Sequence, residues 1–158
     1  MPKMQKAACY RGYAYVGLTM RITSFVIDWY DCGLCSGDGM VHEKTTIYRN
    51  RSVIRIQQYN GYNALLAVSE HKVETNGIEE LFLLLERMEA KNGWKSDYRV
   101  RVCDGWSWEA RIRFSDKTVK LVEGTVALPP NGMKIAKKIR ALLESSMCLI
   151  EPRLFGRD

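Results

Sequence analysis

No apolar stretch of this sequence approaches the run of about 20 residues that spans a bilayer, which excludes a transmembrane helix. Residues 1–19 carry Lys3, Lys6 and Arg11 but no apolar segment of the kind a secretory signal needs, so a cytoplasmic protein is expected. The five cysteines, Cys9, Cys32, Cys35, Cys103 and Cys148, are odd in number. Without an export signal that count argues against a disulfide framework and for thiols. Cys32-x-x-Cys35 has no second Cys-x-x-Cys and no His-x-x-x-His to complete a zinc site; only Cys9, His42 and His71 are left as further ligands. Gly37-Asp38-Gly39 lacks the Lys-Ser/Thr and the helix of a phosphate loop. The two histidines stand near no Ser or Cys arrangement that marks a triad, and helix capping accounts for Glu79-Glu80. Neither an enzyme nor a cofactor is expected.

The chain of 158 residues, 46% hydrophobic and 27% charged, suits one globular domain with an ordinary core. Lys and Arg number 24 against 18 for Asp and Glu, a net charge of +6 that favours anionic partners. Residues 1–19 lack a sustained period, and Met20 directly precedes the first strand-like run. They are either sequence upstream of the true start at Met20 or an arm packing through Tyr10, Tyr13 and Tyr15. The domain is expected over 20–148, with a tail at 149–158.

Arg21 to Trp29 is rich in β-branched and aromatic residues on both parities, as in a central strand buried on both faces. After the Gly-rich loop Cys32 to Gly39, the runs Glu43 to Arg49 and Ser52 to Tyr59 flank Asn50-Arg51. A turn there sets Ile47 opposite Ile54 and Thr45 opposite Ile56, collecting the apolar side chains on one face. Tyr62 to Val68 gives a further strand after Asn60-Gly61. Asn76, with Glu79 three residues on, predicts a capped helix that stops at Asn92-Gly93 and buries Ile78, Leu81, Phe82, Leu85 and Met88. Pro129-Pro130-Asn131 opens a second helix with Ile135, Ile139, Leu142 and Leu143 on its apolar side, and Lys134, Lys137, Lys138 and Arg140 largely away from it.

Between the helices, Tyr98, Val100 and Val102 alternate with Arg99, Arg101 and Cys103. Trp108, Ala110, Ile112 and Phe114 alternate with Glu109, Arg111 and Arg113. A three-residue loop, Asp104-Gly105-Trp106, aligns Val102 with Trp108, Val100 with Ala110 and Tyr98 with Ile112. A turn at Asp116-Lys117 then pairs Phe114 with Val119 and Ile112 with Leu121. The fold expected is α+β, an antiparallel sheet with two amphipathic helices packed on one face.

In that register the face away from the core gathers Arg99, Arg101, Arg111, Arg113 and Lys120, interrupted only by Glu109. Arg99 would face Arg111, and Arg113 would face Lys120; such like-charge pairs cost stability unless an anion binds them. Backbone phosphates are the commonest such anion. Against this stands the reading that long Arg stems cover the sheet and hold their heads in water. For Cys32 and Cys35, a redox dithiol needs a helix N-terminus behind the first cysteine, which Gly33, Gly37 and Gly39 do not favour. The same pair with His42 forms a weak metal candidate.

Trp94, Tyr98, Asp104-Gly105, Trp108, Phe114-Ser115-Asp116, Gly124 and Pro130 form a pattern over Tyr59 to Glu144. It resembles a small domain found in many uncharacterised proteins of Gram-positive bacteria, with Lys117 where that family often has glycine. The resemblance implies no catalytic activity. A non-enzymatic binding domain meeting nucleic acid or an acidic protein is the function expected. The alternative is a small intracellular regulator or inhibitor, such as those mobile elements encode, acting by protein–protein contact.

Overall fold

The computed structural model describes residues 20–32, 37–101, 105–148 and 150–156. In chain order the elements are β1 (Ile22–Asp31), β2 (Met40–Tyr48), β3 (Val53–Asn60), β4 (Leu65–Lys72), α1 (Thr75–Lys91), β5 (Asp97–Tyr98), β6 (Trp106–Phe114), β7 (Val119–Thr125) and α2 (Gly132–Ser145). The strands make one seven-stranded sheet in the order β4-β3-β2-β1-β6-β7-β5. It is antiparallel except where the two-residue β5 runs parallel to β7. β1 lies in the middle, as its apolar content on both parities predicts. Among the described residues, no helix is long and apolar enough to cross a membrane.

One face of the sheet forms the core. Phe25 and Ile27 of β1, Ile47 of β2, Ile54 and Ile56 of β3, Trp108, Ala110 and Ile112 of β6, and Val122 of β7 alternate into one cluster. Ile78, Leu81, Phe82 and Leu85 of α1 and Ile135, Ile139 and Leu143 of α2 complete it. Residues 150–156, expected as a tail, put Leu154 and Phe155 in that core, and the Phe155 ring packs edge-on against Trp94 and Trp108.

The β2–β3 register is the predicted one, with Ile47 opposite Ile54 and Thr45 opposite Ile56. Both strands put apolar residues on one parity, so a slip by one residue would turn them all outward. The expected hairpin between residues 98–102 and β6 is absent among the described residues, and Val102 itself lies outside them. β6 pairs with β1 on one side and β7 on the other, so Trp108 lies between Trp29 and Gly124. Tyr98 belongs instead to β5, beyond β7. Ten-residue β1 offers a long apolar ladder, which the short Tyr98 to Val102 run cannot match. Trp106, expected in a loop, is the first residue of β6.

The β6–β7 turn also differs by one residue. Arg113 pairs with Val119 and Ile112 with Lys120, because Lys117 adopts φ 75° and its N–H bonds the Phe114 carbonyl at 2.9 Å. Asp116 accepts from the Thr118 N–H at 2.9 Å and from its hydroxyl at 2.6 Å, which fixes the turn.

The N-cap of helix α1 is Glu74, two residues before the expected Asn76, and it makes no side-chain cap. Glu79 is occupied elsewhere: it takes two hydrogen bonds from Arg49 of the β2–β3 turn, Nε at 2.9 Å and a terminal nitrogen at 2.5 Å. Arg49 also reaches Glu86 at 2.5 Å and the Ile22 carbonyl at 2.9 Å, while Glu86 accepts the Ile22 N–H at 2.8 Å. The expected stop holds: Gly93, at φ 63°, donates to the Met88 carbonyl at 2.9 Å.

Candidate functional site on the sheet

The sheet face turned from the core can be read as rows across neighbouring strands. Lys72, Val53, Tyr48, Ser24, Arg113 and Val119 make the first row. Glu70, Arg55, Thr46, Val26, Arg111 and Leu121 make the second. Val68, Gln57, Lys44, Asp28, Glu109 and Glu123 follow, and then Tyr59, His42, Tyr30, Ser107 and Thr125. Basic groups thus concentrate toward the β2–β3 turn and aromatic rings toward the far end.

Asp28 is the centre of this face and is only 2% exposed. Its two oxygens take different partners: His42 Nε2 at 2.6 Å and an Arg111 terminal nitrogen at 2.6 Å. Both partners are diagonal neighbours on the flanking strands, within reach because diagonal side chains approach to about 7–8 Å between backbones. The second terminal nitrogen of Arg111 reaches Glu109 at 2.8 Å. Burial pushes the Asp28 carboxyl up, but the bonds from His42 and Arg111 outweigh it and hold it below the usual aspartate range.

Above this carboxylate three rings from adjacent strands stand face to face. His42 stacks on Tyr30 at 4.4 Å and on Tyr59 at 5.0 Å between centroids. Gln57 Nε2 donates to the Tyr59 hydroxyl at 2.9 Å. Burial, then the charges of Asp28 and Glu109, push the Tyr30 phenol up to about 12. His42, in the middle of the stack, has a tyrosine on each face.

The five basic residues expected to share a surface are only partly together. Arg111 and Arg113 do lie on this face, Arg111 bound to Asp28 and Glu109. Lys120 lies on the core-facing side, where its Nζ meets Glu89 of α1 at 2.8 Å; the one-residue longer turn put it there. Arg99 follows β5 and binds Asp97 at 2.9 Å and Glu123 at 3.3 Å, so it does not face Arg111. That contact and the Arg99 N–H hold the Asp97 carboxyl down at about 2. Arg101 is exposed and outside any strand. Lys44, Arg55 and Lys72 are cations of this face that the sequence reasoning missed; they lie on β2, β3 and β4, where the apolar positions carry the visible period.

Of the weak metal candidates, Cys35 lies outside the described residues and Cys32 is an exposed thiol at the end of β1. His42 has given Nε2 to Asp28. His71, opposite Ile54 on β4, lies on the other face of the sheet, so the two histidines cannot share an ion. Among the described residues, no group of three or more His, Cys, Asp or Glu side chains could hold a metal. Neither a protein-family model nor a curated protein matches this sequence.

Proposed function

We propose that this chain is a non-enzymatic binding domain whose sheet face opposite the core receives an anionic partner, foremost the phosphate backbone of a nucleic acid. The observation that carries the reading is the placement of Lys72, Lys44 and Arg113 on β4, β2 and β6, with no carboxylate partner among the described residues. Four strand spacings separate β4 from β6, about 19 Å, enough to touch several phosphates. Arg55 of β3 and Arg111 of β6 share the face and are already paired to Glu70 and Asp28, so they add less charge. Contact of these cations with phosphates is not selective for sequence. The test is fluorescence polarisation with single- and double-stranded oligonucleotides at two salt concentrations. Binding that weakens with salt, and weakens further in Lys44→Glu, supports the reading; no binding at low salt removes nucleic acid and leaves an acidic protein.

A second reading rests on β4. This edge strand exposes Leu65, Leu66 and Val68, and no other strand among the described residues pairs with its outer backbone groups, which suits an added strand. That supports a regulator or inhibitor acting by protein–protein contact. A stoichiometric complex that resists high salt and is lost in Val68→Lys would favour it.

We infer, as part of this reading, that residues 59–144 belong with the small domain of Gram-positive bacteria that they resemble. What supports it is that its pattern residues meet: Trp108 stacks on Tyr98, Trp94 Nε1 donates to the Pro130 carbonyl at 2.8 Å, and a Cβ on Gly124 would lie 2.2 Å from the Trp108 ring. A structure of another member, showing the same indole over glycine, would test it.

A further inference from the structure

The edge strand β4 and the segment after α2 bring together two side chains that are 77 residues apart in sequence. Cys148 Sγ lies 3.2 Å from His71 Nε2, and the same nitrogen is 3.1 Å from Ser69 Oγ. The thiol is half-buried and has a second acceptor in the Ile150 carbonyl at 3.4 Å. It opens on a cleft of about 370 Å³ whose other walls include Lys137, Arg140, Glu144, Ile150 and Pro152. That volume falls in the range of small-molecule sites. The charges around it are of both signs, so the cleft does not select its ligand by charge.

We propose that Cys148 and His71 form a thiol–imidazole pair that reacts with low-molecular-weight disulfides, making Cys148 a site of reversible S-thiolation. In the tautomer with the proton on Nδ1, His71 Nε2 accepts the thiol proton as Sγ attacks one sulfur of the disulfide. The Cys148–sulfur bond forms, the S–S bond of the reagent breaks, and its second half leaves as a thiolate that takes the proton back from the imidazolium. One disulfide is consumed and one is made, so no outside oxidant is needed, and excess free thiol runs the exchange backwards. Cys32 is the built-in comparison. It is more exposed, but among the described residues its sulfur meets only the Tyr30 carbonyl at 3.9 Å and Ser107 Oγ at 3.5 Å, with no imidazole.

The full chain is treated with oxidised glutathione, quenched in acid at timed intervals and mapped by peptide mass spectrometry. Cys148 is expected to be modified at least about tenfold faster than Cys32, a conservative part of what a positioned base contributes. In His71→Gln the Cys148 rate should fall by a similar factor while the Cys32 rate stays the same, which also reports that the fold is intact. Ser69→Ala, a milder change at the same imidazole, should leave Cys148 ahead of Cys32. Equal rates for the two thiols in the unaltered chain would overturn the proposal. So would a Cys148 rate untouched by His71→Gln.

Discussion

Arg49 and Asp28 are both nearly removed from water, at 7% and 2% exposure, but they bind different kinds of neighbours. The partners of Arg49 are the Ile22 carbonyl of β1 and Glu79 and Glu86 on α1, a helix that no backbone ladder joins to the β2–β3 turn. The partners of Asp28 are His42 on β2 and Arg111 on β6, and both strands are already zipped to β1 by main-chain bonds. Arg49 therefore fastens a helix to the sheet. Asp28 orders side chains on a sheet that would form without it. A cluster that the architecture does not need can be exchanged for contacts with a ligand, which is why the Asp28 face is the better place to look for binding.

The largest effect should come from Arg49→Leu, which strands Glu86 at the helix–sheet boundary. Breaking one side of a buried ion cluster costs about 3–5 kcal/mol, and urea unfolding should show a loss of that order. Asp28→Asn should cost less, about 1–3 kcal/mol, since Arg111 retains Glu109 and the ladders of β1 persist. If the two losses come in the reverse order, the division between fastening and ordering clusters is wrong.

Acid should sharpen the same contrast. The Asp28 carboxyl is held below its unfolded value, so its contribution to stability is complete above about pH 4 and is lost as pH falls through the lower folded value. Asn at that position does not titrate. The stability gap between the native chain and Asp28→Asn should thus shrink as pH falls below about 4. Glu79, held down chiefly by its bonds from Arg49, titrates in both chains and cancels from the difference. A gap that widens in acid would mean that the Asp28 carboxylate is not the stabilised form.

How far the sequence could be read follows from these same residues. β1 as the central strand, the Ile47–Ile54 register and the helix stop at Gly93 were legible because each is written in local chemistry: apolar parity, a short turn and an αL glycine. The pairing of β6 was not. Alternation in Tyr98 to Val102 and in β6 fits a hairpin equally well, and nothing local says that β1, whose partners in β6 lie 75 to 92 residues further along the chain, competes for the same edge. The β6–β7 register hung on one torsion, φ 75° at Lys117, where glycine would have announced the bulge. That single residue moved Lys120 from the expected basic face to the side of Glu89. Asp28 with His42, and Cys148 with His71, were out of reach because diagonal and edge contacts leave no spacing signal in the chain.

The smallest effect on stability is expected at Arg113, and it separates the two uses of charge most cleanly. Arg113 is exposed, lies between Ser24 and Val119, and has no carboxylate partner among the described residues. Arg113→Glu should therefore change the unfolding free energy by no more than about 0.5 kcal/mol, as for surface changes away from any special feature. The same substitution at Arg99 would set a third carboxylate beside Asp97 and Glu123 and should destabilise the chain, although the two arginines look alike in sequence. If the sheet face binds phosphates, Arg113→Glu weakens binding alike across oligonucleotide sequences and flattens its dependence on salt, because one fewer counterion is released. Arg99→Glu leaves that salt slope in place, since its cation is already neutralised in the free protein. A polarisation titration of both variants reads the difference directly. Equal losses of binding would mean that overall charge, and not this face, attracts the anion.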